Sequence, residues 1–171
     1  MRTALGVSLF MFALAFESSS QAQTVDDLRK SASDGNPIAE SQLSERFESG
    51  DGVEKDAKKA FCWVHRSAEH GFPNAWLNIG IIYSMGRGVQ KDDIESYKWL
   101  YMLNSIPENA KDSEISKWGK EDAARITRQM TPAQIREAKG RADQWWKAVA
   151  ARGHAKPGQM YVPYPGDRPS C

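Results

Sequence analysis

The chain has 171 residues and a mass of 19.1 kDa, which bounds it to one ordinary domain or a short array of repeats. With 23 Lys+Arg against 22 Asp+Glu the net charge is +1, so the one-sided basic excess that suits a phosphate backbone is missing and a nucleic-acid partner is not expected. Hydrophobic residues make up 40% of the chain and include six Trp, enough for a packed core despite a mean hydropathy of −0.61.

The first element is read as a targeting segment. Arg2 precedes Ala4 to Phe16, apolar except for Ser8, and the small-residue run Ser20-Gln21-Ala22 follows. A charged start, a short apolar middle and a small-residue end predict a signal peptide over 1–22, cut after Ala22. A membrane span needs about 20 apolar residues, and no later segment supplies them, so no span is expected in the mature protein. The chain is therefore expected in the periplasm or secreted.

Residues 23–34 carry Val25-Asp26-Asp27-Leu28-Arg29-Lys30-Ser31-Ala32, which has the length of a single capping helix. Beyond it the chain repeats itself at an offset of 36. Segments 35–68 and 71–104 share nine identities in 34 positions, at Gly35/Gly71, Pro37/Pro73, Ala39/Ala75, Gly50/Gly86, Gly52/Gly88, Val53/Val89, Lys55/Lys91, Asp56/Asp92 and Trp63/Trp99. Composition alone predicts about two. Each copy reads as two antiparallel helices. Pro37 and Pro73 suit a first helical turn, Gly50 and Gly86 a left-handed end, and Asp56 and Asp92 the cap of the second helix. The apolar positions Ala39, Leu43, Phe47 and Ala75, Ile79, Tyr83 recur every four residues along the first helix of each copy. Repeat boundaries fall at 35–70 and 71–104.

The run Gly71-Phe72-Pro73-Asn74-Ala75, Asn78-Ile79-Gly80, Tyr83, Gly86-Arg87-Gly88-Val89, Asp92 and Lys98-Trp99, with Ala60, Trp63 and Arg66 to Gly71 in the first copy, resembles the Sel1-like repeats, a branch of the tetratricopeptide-like helical repeats. The likeness departs from the pattern at Ser44, where a glycine is usual and looser helix packing is expected. It departs again at Met102-Leu103-Asn104, where the array is expected to stop. It implies an all-α fold, a short right-handed solenoid with N- and C-terminal capping helices.

A C-terminal helical cap is read over 105–152. Ile115, Trp118, Ala123, Ile126 and Met130 mark one helix with Gly119 as a weak point. Thr131-Pro132-Ala133-Gln134 opens another, because Thr caps, Pro fits the first turn and Gln bonds back. The last 19 residues, 153–171, hold four of the eight prolines and read as a flexible tail. Export permits Cys62 and Cys171 to pair. Against a bridge, Cys171 ends this tail, and Cys62 stands where the sister repeat has Lys98, a register that marks an accessible thiol. Both readings stay open.

Catalytic chemistry has no positive signal. The two Gly-x-Gly loops follow no strand and read as helix punctuation, not phosphate cradles. His65 and His70 are five residues apart and do not share a helix face, so no metal site is expected, and both read as polar ends of a solvent-facing helix. No cofactor is expected, and neither Ser67 nor Ser96 has a His–acid partner in the local sequence.

What remains is a surface. The resemblance implies that the first helices of the repeats line a concave face. Removing the packing residues leaves Ser41, Glu45, Glu48, Leu77, Ile81 and Ser84 as groove candidates, with Trp76 at its edge, read either as an aromatic anchor or as buried against a cap helix. The function expected is an exported, non-catalytic adaptor that binds an envelope protein or peptide, as a regulator, an assembly factor or an immunity-type inhibitor. Self-association is possible in principle but not expected. The alternative is a cell-wall-directed or β-lactam-binding hydrolase of the same class, which the unpaired placing of Cys62 weakens.

Overall fold

The computed structural model describes residues 23–106, 113–151 and 171. The signal peptide read over 1–22 and all of the tail but its last residue lie outside them. The described residues form α1 (Val25–Ser33), α2 (Pro37–Ser49), α3 (Ala57–Glu69), α4 (Pro73–Met85), α5 (Asp93–Asn104), α6 (Ser113–Thr127) and α7 (Pro132–Ala151), with no strand among them. This is an all-α helical-repeat solenoid.

Local chemistry sets the helix ends. Pro37 and Pro73 occupy first turns, and Gly50 and Gly86 end α2 and α4 at φ of 84° and 69°, a left-handed conformation that glycine adopts without steric cost. Asp56 accepts from the Lys58 and Lys59 amides at 3.0 Å, and Asp92 accepts from Ile94 and Glu95 at 2.8 and 3.0 Å. Such caps contribute about 1 kcal/mol each. The Lys59 amide bond holds the Asp56 carboxyl below the usual carboxylate range. At the start of α7, Gln134 Oε1 accepts from the Thr131 amide at 2.8 Å while Thr131 Oγ1 accepts from the Gln134 amide at 3.3 Å, a reciprocal capping box.

α2 pairs with α3 and α4 with α5, each pair lying against the helix before it. The pairs approach closely because small residues face each other at the crossing. A Cβ on Gly80 would lie 2.9 Å from Leu100 Cγ and 3.3 Å from the Ser96 carbonyl. Ser96 Oγ donates to the Gly80 carbonyl at 2.6 Å. The first pair makes the reciprocal bond, Ser44 Oγ to the Ala60 carbonyl at 2.7 Å. Ser44 therefore does not loosen the packing, as its departure from the repeat pattern led one to expect. Its buried hydroxyl ties the two helices together. Gly119 is likewise no weak point, since a Cβ there would meet Leu103 Cδ2 at 2.6 Å, and α6 rests on α5 at this spot.

α6 and α7 both pack on α5, and α6 also reaches α4. Two apolar clusters result. Leu28, Ala32, Leu43, Phe47, Ala60 and Trp63 fill the N-terminal end. The larger cluster joins α4 and α5 to the last two helices through Trp76, Trp99, Leu103, Ile126 and Trp145. Trp76 belongs to this second core. It is 2% exposed, its ring meets those of Trp145 and Trp146 edge-on at 5.9 and 5.8 Å, and its Nε1–H donates to the Ala68 carbonyl at 2.8 Å. The sister position in the first repeat is Glu40, also buried. Its carboxylate lies 3.1 Å from Arg66 Nη2 and accepts from His70 Nδ1–H at 2.6 Å. Arg66 in turn reaches the Ala32 carbonyl at 3.4 Å and lies over the Trp63 ring at 4.8 Å. His70 is thus buried in an ionic cluster, not at the end of a solvent-facing helix. His65 is half-buried between Phe61 and Trp99.

Cys62 and Cys171 form a disulfide with Cα atoms 5.8 Å apart. The bridge brings the last residue onto the N-terminal apolar cluster beside Val25 and Val53, and Cys62 is not an accessible thiol.

Two stability predictions follow from this packing. Glu40→Ala strips the buried carboxylate from Arg66 and His70, and a urea melt should show a loss of about 3–5 kcal/mol, the usual cost of leaving a buried charge unpaired. A loss within experimental error would mean that water reaches the cluster. Trp76→Ala should cost about 3–5 kcal/mol through the cavity it opens, whereas Trp118→Ala, at a residue 49% exposed, should stay within about 0.5 kcal/mol of wild type.

Candidate interaction groove

Three helices, α2, α4 and α6, present one side to a shared trough. Ile38, Ser41, Gln42 and Glu45 recur at steps of three and one along α2, and Asn74, Leu77 and Asn78 do so along α4, so each set makes a stripe on its own helix. Phe72 closes one end and Ile115 and Trp118 of α6 form the far wall of a hollow of about 350 Å³. A smaller hollow of about 190 Å³ adjoins it, lined by Ser44, Glu45, Glu48, Asn78, Ile81, Ile82 and Arg87. Glu45 and Asn78 line both, which makes the two one continuous surface.

The chemistry of this surface is mixed. Ile38 and Trp118 are 52% and 49% exposed, and they bracket the larger hollow from opposite sides. The side-chain amides of Gln42, Asn74 and Asn78 make no hydrogen bond among the described residues, so donors and acceptors stand ready between two apolar walls. Glu48 forms an ion pair with Arg87 across the mouth of the smaller hollow. Glu45 is exposed and has no such partner among the described residues.

The residues expected from sequence divide here. Ser41, Glu45 and Leu77 line the larger hollow, and Glu45, Glu48 and Ile81 the smaller. Ser41 and Leu77 are 4% and 6% exposed, so they form the floor. Trp76 is not a groove residue. It points into the core, where α7 covers it with Trp145 and Trp146. Ser84 lines neither hollow, and its hydroxyl donates to the Ile81 carbonyl at 2.8 Å and accepts from Arg125 Nη2 at 3.5 Å. Sequence reasoning passed over Ile38, Gln42, Asn74 and Asn78, although each lies three residues before a named candidate on the same helix. It took Trp118 for a packing residue.

A third hollow, about 640 Å³, lies at the N-terminal end between Arg29, Phe47, Val53, Lys59, Trp63 and Cys171. On the opposite side of the repeats, Glu95 of α5 pairs with Lys98 at 3.2 Å and with Arg141 of α7 at 2.5 Å, and Glu69 accepts from Trp145 Nε1–H at 2.9 Å. Burial lowers the His65 pKa below its ordinary value, with Lys98 acting in the same sense and Glu69 and Glu95 opposing. Burial, joined by Glu95, Asp92 and Glu69, pushes Tyr83 up to about 12. Both groups are therefore neutral at pH 7. The Ser67 and Ser96 hydroxyls are committed to the Pro37 and Gly80 carbonyls, and Cys62 is held in its disulfide. No group of three His, Cys, Asp or Glu able to hold a metal ion occurs among the described residues. Nor is any described helix long and apolar enough to cross a membrane.

Comparison with known proteins bears on the scaffold. The Sel1 repeat model matches residues 37–72 and 75–103. Among solved structures the chain is similar to a protective antigen of uropathogenic Escherichia coli strains that displays an SLR fold, at 26% identity and a TM-score of 0.65. That match covers 75% of this chain and 26% of the antigen. A Sel1 repeat protein from Oxalobacter formigenes matches at 26% identity and a TM-score of 0.49, over 56% of this chain and 27% of its own. This chain thus spans about a quarter of the length of the solved structures it matches. No curated protein matches it. Residues 37–72 and 75–103 are thus two Sel1 repeats, and with the SLR-fold neighbour they make the chain a Sel1-like repeat protein.

Proposed function

We infer that this protein is an exported, non-catalytic adaptor whose α2–α4–α6 trough binds a segment of another protein. The observation that carries the reading is the trough itself, where exposed Ile38 and Trp118 flank three side-chain amides with nothing bonded to them. A folded domain seldom leaves large apolar side chains and uncommitted amides side by side on a rigid concave face without a ligand. Sel1 repeats are typically protein-interaction scaffolds, which agrees with this use of the surface. The partner belongs to the cell envelope, and the role is that of a regulator, an assembly factor or an inhibitor.

Export is supported by the apolar run Ala4 to Phe16 ahead of Ser20-Gln21-Ala22 and by the Cys62–Cys171 bridge, a linkage that persists in oxidising compartments and is uncommon in reducing ones. The mature chain starts at Gln23 and works in the periplasm or outside the cell. The hydrolase alternative gains no support from Ser67, Ser96 or Cys62, each already bonded.

Two measurements test the reading. Photo-crosslinkers placed at Gln42 and at Asn74 should capture the same partner protein, while one at Asp143, exposed on α7, should not. Capture from Asp143 alone would move the interface off the trough. Intact-mass spectrometry of the protein recovered from the envelope fraction should show a chain beginning at Gln23, lighter than its reduced form by the two thiol hydrogens. A chain that keeps Met1, or two free thiols, would count against export.

A further inference from the structure

Within the trough one charge stands apart. Glu48 is matched by Arg87. Glu45 has no ion-pair partner among the described residues, and it lies where the two hollows join, beside Asn78. Counting the ionised residues that line the two hollows, Glu45 and Glu48 against Arg87, leaves a net charge of −1, and that charge is on Glu45. The apolar walls, Ile38 on one side and Ile115 and Trp118 on the other, belong to the larger hollow alone.

We propose that the trough selects an extended peptide segment in which a lysine or arginine, placed against Glu45, is followed or preceded within a few residues by a large apolar side chain seated between Ile38 and Trp118. The proposal rests on the adaptor reading and adds the chemistry of the ligand. Three features of the site require the parts of such a segment. An extended backbone offers alternating N–H and C=O groups, and the primary amides of Gln42, Asn74 and Asn78 each supply both a donor and an acceptor to meet them. A folded helix would present its backbone groups already bonded to one another and leave these amides unmatched. The carboxylate of Glu45 adds attraction for a cation and repels an acidic segment, so it acts mainly on selection. The indole face of Trp118 and the branched side chain of Ile38 gain contact area from an apolar side chain, which leaves water at no cost in hydrogen bonding.

A positional-scanning library of ten-residue peptides, presented to the disulfide-bonded full chain and read by fluorescence anisotropy, tests this directly. Wild type should favour Lys or Arg with Leu, Phe or Trp one to four positions away. Glu45→Gln should weaken basic peptides by about three- to tenfold, the scale of a partly exposed charge pair, and leave the apolar preference in place. Glu45→Lys should turn the preference toward Asp and Glu. Residue 45 is solvent-exposed, so neither change threatens the fold, and unaltered thermal melting of both variants would confirm it. If wild type selects acidic or neutral segments, or if the basic preference survives Glu45→Gln, the proposed ligand chemistry is overturned while the trough remains a binding surface. If no peptide binds wild type better than it binds Trp118→Ala, the adaptor reading fails, and the proposal with it.

Discussion

Two helices cross closely only where their facing residues have almost no side chain, and both repeats are built around that constraint. Gly80 leaves no room for a Cβ against Leu100, and opposite it stands Ser96, whose hydroxyl bonds back to the Gly80 carbonyl. In the first repeat the roles are exchanged. The serine is Ser44 on α2, and the small partner is Ala60 on α3. Each crossing therefore carries one hydroxyl and one residue with little or no side chain, and each places the hydroxyl on a main-chain carbonyl of the other helix. The buried hydroxyl costs nothing in unmet hydrogen bonding, and the bond fixes the helices' sliding position along one another. The stacking of pair on pair follows, and with it the common direction in which α2 and α4 expose their remaining side.

A second constraint is the end of each second helix and of α1. The carbonyls of Ala32 and Ala68 occupy equivalent places beneath the next repeat; each accepts a backbone amide, from Gly35 at 3.0 Å and from Gly71 at 2.9 Å, and each takes a side-chain donor as well. One repeat supplies it with Trp76, the other with Arg66, which is held by Glu40 at the position equivalent to Trp76. Two chemically unlike solutions thus meet one demand. The indole brings its own apolar bulk to the core shared with α7, whereas the guanidinium is neutralised by a carboxylate and backed by His70 and the Trp63 ring. The apolar solution sits where Trp145 and Trp146 are present to surround it. The ionic one sits at the N-terminal end, where α1 packs on the pair.

Punctuation and pairing were legible in the sequence because they are set by local chemistry and by the period. Pro37, Gly50 and Asp56 announce a first turn, a left-handed end and a cap without reference to the rest of the chain, and their recurrence at Pro73, Gly86 and Asp92 confirms it. What was not legible depended on distant partners. Nothing near Trp76 decides between a groove anchor and burial against a cap helix, and nothing near Cys62 tells that Cys171 reaches α3. His70 looked like a solvated helix end because its partner Glu40 lies on another helix. Ser44 looked like a flaw because the repeat pattern records residue size and not the direction of a hydroxyl.

The same contrast bears on where recognition resides. Several packing positions keep their size and polarity in the two copies, as at Ala39/Ala75, Leu43/Ile79, Phe47/Tyr83 and Trp63/Trp99, while the trough pairs Ile38/Asn74, Ser41/Leu77, Gln42/Asn78 and Glu45/Ile81 have no identity among them. Divergence between copies of one chain marks positions freed from the packing demand, and it is the nearest sign of a ligand surface that a single sequence offers. It is not sufficient. Glu40/Trp76 diverges as sharply and is buried, because there the divergence records two answers to one structural demand. The distinction needs a third element. α6 leaves the sides of α2 and α4 open and adds Ile115 and Trp118 as a further wall, while α7 closes over Trp76. The helices that end the array therefore decide which of its irregular positions can meet a partner, and a surface of this kind cannot be assigned from the repeats alone.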